Sequence, residues 1–285
     1  MQRTIGVNTW VWTSPLTDES LAELAPKIAR MGFGAIELPL ENAGDWDAAR
    51  AGDLLGSLGL APVVIGAMGP GRSLVDRAGN VAATQAYLRT CLAAARGVGA
   101  SVVAGPFYAP TGVTWRMTTG ERTEVVAQLR RNLEPLVDEA AAAGVALAVE
   151  PLNRYETSVI NTVEQGIDAL APLFGPGLGL ALDTYHLNIE EKRPDAAIRA
   201  AAGNIAHVQV CGSDRGPVGD DHTDWPETLA ALDDAGYAGI LGLESFTGEN
   251  ATIAVAASVW RPLAASQDDL AERSLRYLTA LQASR

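Results

Sequence analysis

Four short apolar segments in the second half of the chain end on a polar residue, or carry one, on their less bulky face. They are Ala146-Leu147-Ala148-Val149-Glu150, Gly179-Leu180-Ala181-Leu182-Asp183, His207-Val208-Gln209-Val210 and Ile240-Leu241-Gly242-Leu243-Glu244. Side chains alternate along a strand, so Gly179, Ala181 and Asp183 share one face and Leu180 and Leu182 the other. If the four segments are neighbours in a closed parallel sheet, Glu150, Asp183, Gln209 and Glu244 converge at its carboxyl end, where barrels of this kind carry their reactive groups. Three carboxylates facing one cavity repel one another and lose hydration. That is tolerable when a cation neutralises them or their pKa values rise. The set predicts one divalent ion ligated by Glu150, Asp183, Gln209 and Glu244. Oxygen-rich ligation favours Mn²⁺ first, with Mg²⁺ or Co²⁺ as alternatives, over zinc.

The elements that position these groups follow from periodicity and turn chemistry. Strands are expected at Thr4 to Trp10, Ala35 to Leu38, Ala61 to Ile65 and Ser101 to Gly105, and then at the four segments above. Helices are expected at Asp18 to Met31, Asp47 to Leu58, Asn80 to Val98, Gly120 to Ala143, Val163 to Leu173, Pro194 to Ala202, Trp225 to Ala235 and Gln267 to Leu281. Five helices run into a glycine just before the next strand (Gly32, Gly59, Gly99, Gly144, Gly236), the helix-to-strand turn such a repeat requires. Eight strand-helix units without a linker or low-complexity tract predict an α/β protein, a single (β/α)8 TIM barrel over residues 1–285. The strand-to-helix connections are longer, with a glycine-rich one from Gly66 to Gly79, and they carry the aromatics and charges. Function is expected on that side.

Composition narrows the ligand class. With 34 acids against 21 bases the net charge is −13, which repels nucleic acid and anionic membranes and suits a neutral or cationic ligand. Hydrophobic residues make up 48%, so the chain can bury a core, yet no apolar run approaches the roughly 20 residues of a membrane span. Cys91 and Cys211 are too few for a disulfide framework and read as buried thiols. A cytoplasmic location is expected, since no secretory signal precedes the first strand. No phosphate-binding glycine loop, dinucleotide fingerprint or nucleophile elbow is present, which disfavours nucleotide-dependent and serine-hydrolase chemistry.

At this point the residues carry a resemblance. Val149-Glu150-Pro151-Leu152-Asn153-Arg154-Tyr155-Glu156, Asp183-Thr184-Tyr185-His186-Leu187-Asn188-Ile189-Glu190-Glu191, Asp214-Arg215-Gly216 and the strand ending at Glu244 resemble the xylose isomerase-like barrels, and most of all the ketose 3-epimerases of the tagatose and psicose (allulose) type. The resemblance covers essentially the whole barrel. It implies that Glu150, Asp183 and Glu244 are metal acids and that Glu150 and Glu244 double as the acid-base pair. It also implies that Glu156, His186 and Arg215 contact the sugar. Two departures stand out. The family's metal histidine, second in a His-x-His strand motif, is Gln209 here, and Gly212 stands where those epimerases usually carry Glu.

The leading expectation is a metal-dependent ketose 3-epimerase that removes a proton alpha to a carbonyl, passes through an enediolate and returns the proton on the other face. The alternative is a deglycosidase or lyase in which the same abstraction drives elimination from a 3-keto C- or O-glycoside. The partner is a small sugar or keto-glycoside, with a homo-oligomer expected and a small second subunit possible under the alternative. A repair nuclease of the endonuclease IV type needs many histidines and a basic face, and three histidines at a charge of −13 disfavour it. A sugar-binding barrel without catalysis is a further reading. Glu37 faces inward on strand two and is read as support for the site. His207, a layer below Gln209, is read as a core histidine, and His222 as a loop residue. Trp10, Trp12, Phe107, Tyr108 and Trp115 serve either as flat walls for a ligand or as packing.

Overall fold

A computed structural model describes residues 1–75 and 80–285. The eight strands are β1 (Ile5–Asn8), β2 (Ala35–Leu40), β3 (Ala61–Gly66), β4 (Val102–Gly105), β5 (Ala146–Val149), β6 (Leu178–Asp183), β7 (Ile205–Val210) and β8 (Leu241–Leu243). They are parallel and pair in sequence order, with β1 closing on β8. The α-helices are α1 (Asp18–Met31), α2 (Ala48–Leu58), α3 (Val81–Val98), α4 (Thr119–Ala143), α5 (Val163–Leu170), α6 (Thr184–Glu190), α7 (Pro194–Ala200), α8 (Trp225–Asp234), α9 (Ala251–Ala256) and α10 (Gln267–Ala283). This is the (β/α)8 barrel that the alternation of strand and helix periods predicts.

Local chemistry sets the helix ends. Thr17 accepts from the Ser20 backbone N–H while Ser20 reaches back to Thr17, and Thr118 and Glu121 repeat the arrangement at α4. Each such box satisfies two amides that the first helical turn leaves without partners, worth about 1 kcal/mol. α1 buries Leu21, Ala25 and Ile28, spaced by four and three, and stops at Gly32 with φ +100°, a left-handed conformation that a side chain there would strain.

Two apolar cores follow from the two faces of the strands. The outward faces and the helices share the larger one. Inside the barrel Val63, Ile65, Ala104, Ala148 and Ala181 form a small cluster topped by Trp10 and Phe246. Alanine at three of these inward positions leaves the upper interior open to polar side chains. Ala148 and Ala181 lie two residues before Glu150 and Asp183, so the same pleat that buries the methyls aims the acids inward.

Several boundaries differ from expectation. β1 stops at Asn8, and Thr9–Val11 winds into a 3-10 turn because the Asn8 side chain accepts from the Trp10 N–H. Strands β5 and β8 end one residue before Glu150 and Glu244. The segment after Asp183 is helical at once, as α6, with the Asp183 side chain accepting from the Tyr185 N–H. α9 was likewise not evident from periodicity; six residues are too few to show it. The expected helix to Leu173 is α-helical to Leu170 and 3-10 over Ala171–Leu173. The end of the glycine-rich connection from Gly66 to Gly79 lies outside the described residues. Among the described residues no helix is long and apolar enough to cross a membrane.

Candidate active site

Register brings the polar strand ends together. Asp183 pairs with Gln209 and Gln209 with Gly242 along three adjacent strands, and Glu150 and Glu244 follow β5 and β8. All four of Glu150, Asp183, Gln209 and Glu244 are buried. Arg215 enters from the loop after β7 with φ +67°, held by its N–H to the Gly212 carbonyl at 2.9 Å. Its Nη1 donates to Asp183 Oδ2 at 2.6 Å and to Glu244 Oε2 at 2.7 Å. The guanidinium lies 4.1 Å from the Tyr185 ring centre and 5.1 Å from that of Phe246, so it is sandwiched as well as ion-paired. The turn explains Gly212: a Cβ there would meet the carbonyl oxygens of Gly216 and Pro217 at 2.9 and 3.0 Å.

These surroundings drive the carboxylates apart in acidity. Burial pushes Glu150 well above the usual range, and the charges of Glu244 and Asp183 add to it against the pull of Arg215. Burial likewise raises Glu244 to about 8, with Arg215 opposing and Asp183 and Glu37 reinforcing. Asp183 feels the same burial, but Arg215, His186 and the Tyr185 N–H together hold it below the usual range. Asp183 is therefore the most acidic of the three, beside two carboxyl groups whose pKa values are raised.

His186 projects from α6 into the same cavity. Its Nδ1 accepts from the Asn153 backbone N–H at 3.0 Å, so the neutral ring carries its proton on Nε2, 3.5 Å from Glu150 Oε1 and 3.7 Å from Asp183 Oδ2. Burial lowers its pKa, with Asp183 opposing, which favours the neutral ring. Glu156 accepts from Asn153 Nδ2 at 2.7 Å, so Asn153 positions two of the three residues expected to touch the sugar. Sequence reasoning did not single out Asn153. Tyr108 supports Glu150 from behind, its hydroxyl donating to the Glu150 carbonyl at 2.8 Å.

Gln209 sits above a second inward acid. Its Nε2 donates to Glu244 Oε1 and to Glu37 Oε2, both at 2.9 Å. Glu37 is fully buried and also meets His207 Nε2 at 2.6 Å and Asn8 Nδ2 at 3.0 Å. Of the aromatics, Phe107 and Tyr108 are fully buried packing, with Phe107 against Gly66 and Gly105. Trp10 stacks on Phe246 with ring centres 5.6 Å apart. Trp12, Phe246, Trp260 and Asp268 line an open cavity of about 650 Å³ beside the site. His222 is exposed, between Ser213 and Asn188.

The donor set could hold a divalent cation. Atoms of Glu150, Asp183 and His186 all lie within 4.8 Å of one another, and Glu244 joins them through Arg215. Three buried carboxylates face a single guanidinium, whose Nη1 bridges Asp183 and Glu244, and the ring nitrogen of His186 lies beside Glu150 and Asp183. The His186 tautomer set by Asn153 leaves the three acids as the anionic donors.

The family described as xylose isomerase-like TIM barrel matches residues 25–281. An L-ribulose 3-epimerase of Mesorhizobium japonicum is 30% identical over 278 residues, covering 96% of this chain and 92% of that protein. A probable ketose 3-epimerase of Synechocystis sp. is 33% identical over 193 residues, covering 68% and 67%. The structure of an L-ribulose 3-epimerase superposes with a TM-score of 0.90 at 28% identity, over 99% of this chain and 95% of that one. A D-allulose 3-epimerase from Methylomonas sp. in complex with D-allulose gives 0.87 at 27% identity, over 98% and 97%.

Proposed function

The chain belongs to the xylose isomerase-like TIM barrel family, and we propose that it is a metal-dependent ketose 3-epimerase acting on an unphosphorylated sugar. The observation that carries the reading is the pair of buried carboxyl groups of Glu150 and Glu244, both raised in pKa, set around the ion pair of Asp183 with Arg215.

In this reading the ketose lies across the mouth of the barrel with its carbonyl end toward His186, whose Nε2–H donates to oxygen. Glu156 accepts from a hydroxyl. One of Glu150 and Glu244 removes the C3 proton, the electron pair of the broken C–H bond passes to the C2 carbonyl oxygen, and an enediolate forms. The other carboxyl group then gives a proton to the opposite face of C3 and the carbonyl re-forms, so composition is unchanged and one centre is inverted. A divalent ion held by Glu150, Asp183 and Glu244 would polarise the carbonyl and disperse the charge that builds on oxygen. Arg215 holds Asp183 and Glu244 at fixed separation, and the apolar cap of Trp10 and Phe246 limits water around the developing charge.

The test is incubation of the purified protein with L-ribulose, D-allulose, D-tagatose and D-fructose in D₂O with Mn²⁺, followed by NMR. The expected result is the 3-epimer with deuterium at C3. Absence of both label and epimer from every ketose, together with cleavage of a 3-keto-glycoside, would replace this reading with the elimination reaction.

A further inference from the structure

The Glu244 carboxylate is held on both oxygens, and one hold descends into the barrel floor. Oε2 accepts from Arg215, and Oε1 accepts from Gln209 Nε2. A primary amide nitrogen carries two hydrogens, and the other one goes to Glu37 Oε2. Both are thus committed to carboxylates from two layers of the barrel. The reversed amide would set its carbonyl oxygen 2.9 Å from both acids and give up both donated hydrogen bonds, which favours the nitrogen toward the acids. Glu37 is itself anchored by Asn8 Nδ2, which donates to Oε2, and by His207, whose Nε2 lies 2.6 Å from Oε1. Gly242 leaves the space that the Glu37 carboxylate fills: a Cβ there would lie 1.6 Å from Glu37 Oε1.

We infer that Gln209 is a positioning residue for Glu244 and not a metal donor, and that Glu37, held by His207 and Asn8, is the anchor through which it acts. The inference rests on the reading of Glu244 as a proton-transferring group. Gln209 spends its donor atom on the two acids and so orients Glu244 from below while Arg215 orients it from the side. His207, Glu37 and Gly242 thereby acquire one shared purpose: they place a carboxylate in the lower layer where Gln209 can reach it. The site then binds its ion through three acids, with the position of the family's metal histidine given over to alignment.

Three variants test this: Gln209→Met, which keeps length and neutrality but donates nothing; Glu37→Met; and Glu37→Gln, whose carbonyl oxygen still accepts from Gln209 while its amide faces His207. The readouts are kcat and KM on a ketose that the wild type turns over, and Mn²⁺ affinity of chelator-treated protein by calorimetry. Misplacement of a reacting group by about 1 Å lowers rate by roughly 10²-fold, so Gln209→Met and Glu37→Met are each expected to lose about 10- to 100-fold in kcat. The double variant falls no further than the worse single one, because the residues act in series. Glu37→Gln recovers most of what Glu37→Met loses. Because Gln209 orients an acid that would bind the ion, Mn²⁺ affinity is expected to weaken in Gln209→Met and Glu37→Met alike, by up to the roughly 10- to 100-fold seen when groups supporting a metal ligand are removed. A Mn²⁺ affinity that weakens tenfold in Gln209→Met while Glu37→Met keeps that of the wild type overturns the inference, since it makes the amide a donor; so do unchanged kcat in Gln209→Met and losses that multiply in the double variant. If Glu37→Met does not fold, the kcat of Gln209→Met decides alone, because that variant leaves Glu37 with His207 and Asn8. If the wild type turns over no ketose, the functional reading fails, and the Mn²⁺ titrations of the Gln209 and Glu37 variants still judge the role of the amide.

Discussion

Substituting Gly242 by Ala tests how firmly the buried acid layer is built. The added Cβ would sit 1.6 Å from Glu37 Oε1 and 2.5 Å from its Cδ. A relaxed contact between a methyl and an oxygen needs roughly 3.5 Å, so the carboxylate must retreat by about 2 Å. It has little room to do so, because it is fully buried and Oε1 is bonded to His207 at 2.6 Å. Loss of that bond removes about 1.5–3 kcal/mol, and the buried group left without a partner adds about 1–3 kcal/mol. Together these come to about 2.5–6 kcal/mol; at roughly 2–4 °C per kcal/mol for a domain of this size, Tm falls by roughly 5–20 °C. Differential scanning calorimetry of Gly242→Ala, Glu37→Ala and the double variant isolates the cause. Removing the carboxylate frees the space, so the double variant should be no less stable than Glu37→Ala alone. A Tm for Gly242→Ala within about 2 °C of the wild type, or strictly additive losses in the double variant, would refute the reasoning, since either means that Gly242 does not accommodate Glu37.

Glu150→Gln and Glu244→Gln are each expected to lower kcat by at least about 10²-fold in a steady-state epimerisation assay, and near-normal turnover in either would remove it from proton transfer. In metal-stripped protein, the folded pKa of Glu244 is raised from the ordinary 4.5 to about 8. Its contribution to stability is therefore fully present below about 4.5 and lost as pH rises through about 8. Glu150 is shifted the same way, whereas the lowered Asp183 acts only at more acid pH. Thermal melts of stripped protein should thus lose Tm between about pH 5 and pH 8, with a shallower loss in Glu244→Gln; equal slopes would show that Glu244 titrates normally. Burial pushes the Cys91 thiol up to about 12, so alkylation at neutral pH should await denaturation, and rapid labelling of native Cys91 would place it at a surface.

The barrel was legible in the sequence because two periods alternate along it, one of two residues and one of 3.6, and because glycine stops one helix after another before the next strand. Glu150, Asp183, Gln209 and Glu244 could be found for the same reason: a period-two pattern states which face a residue occupies, and small residues at Ala148 and Ala181 mark that face as the crowded interior. Short helices escaped, since α6 begins on Asp183 itself and α9 has six residues, too few for a periodic signal. What the pattern could not contain is which partner each inward atom takes. Residues separated by 29 to 172 positions meet only in the folded barrel: Glu37 with Gln209 across 172 residues, Glu37 with His207 across 170, Arg215 with Glu244 across 29. The nitrogen of Gln209 faces the acids because a carboxylate from β2 lies beneath it, and that carboxylate fits because β8 carries glycine at 242. Side-chain periodicity is a property of one strand, whereas hydrogen-bond direction and acidity depend on charges brought together by eight, which is why the sequence determined which polar residues converge and the tertiary structure decided their partners.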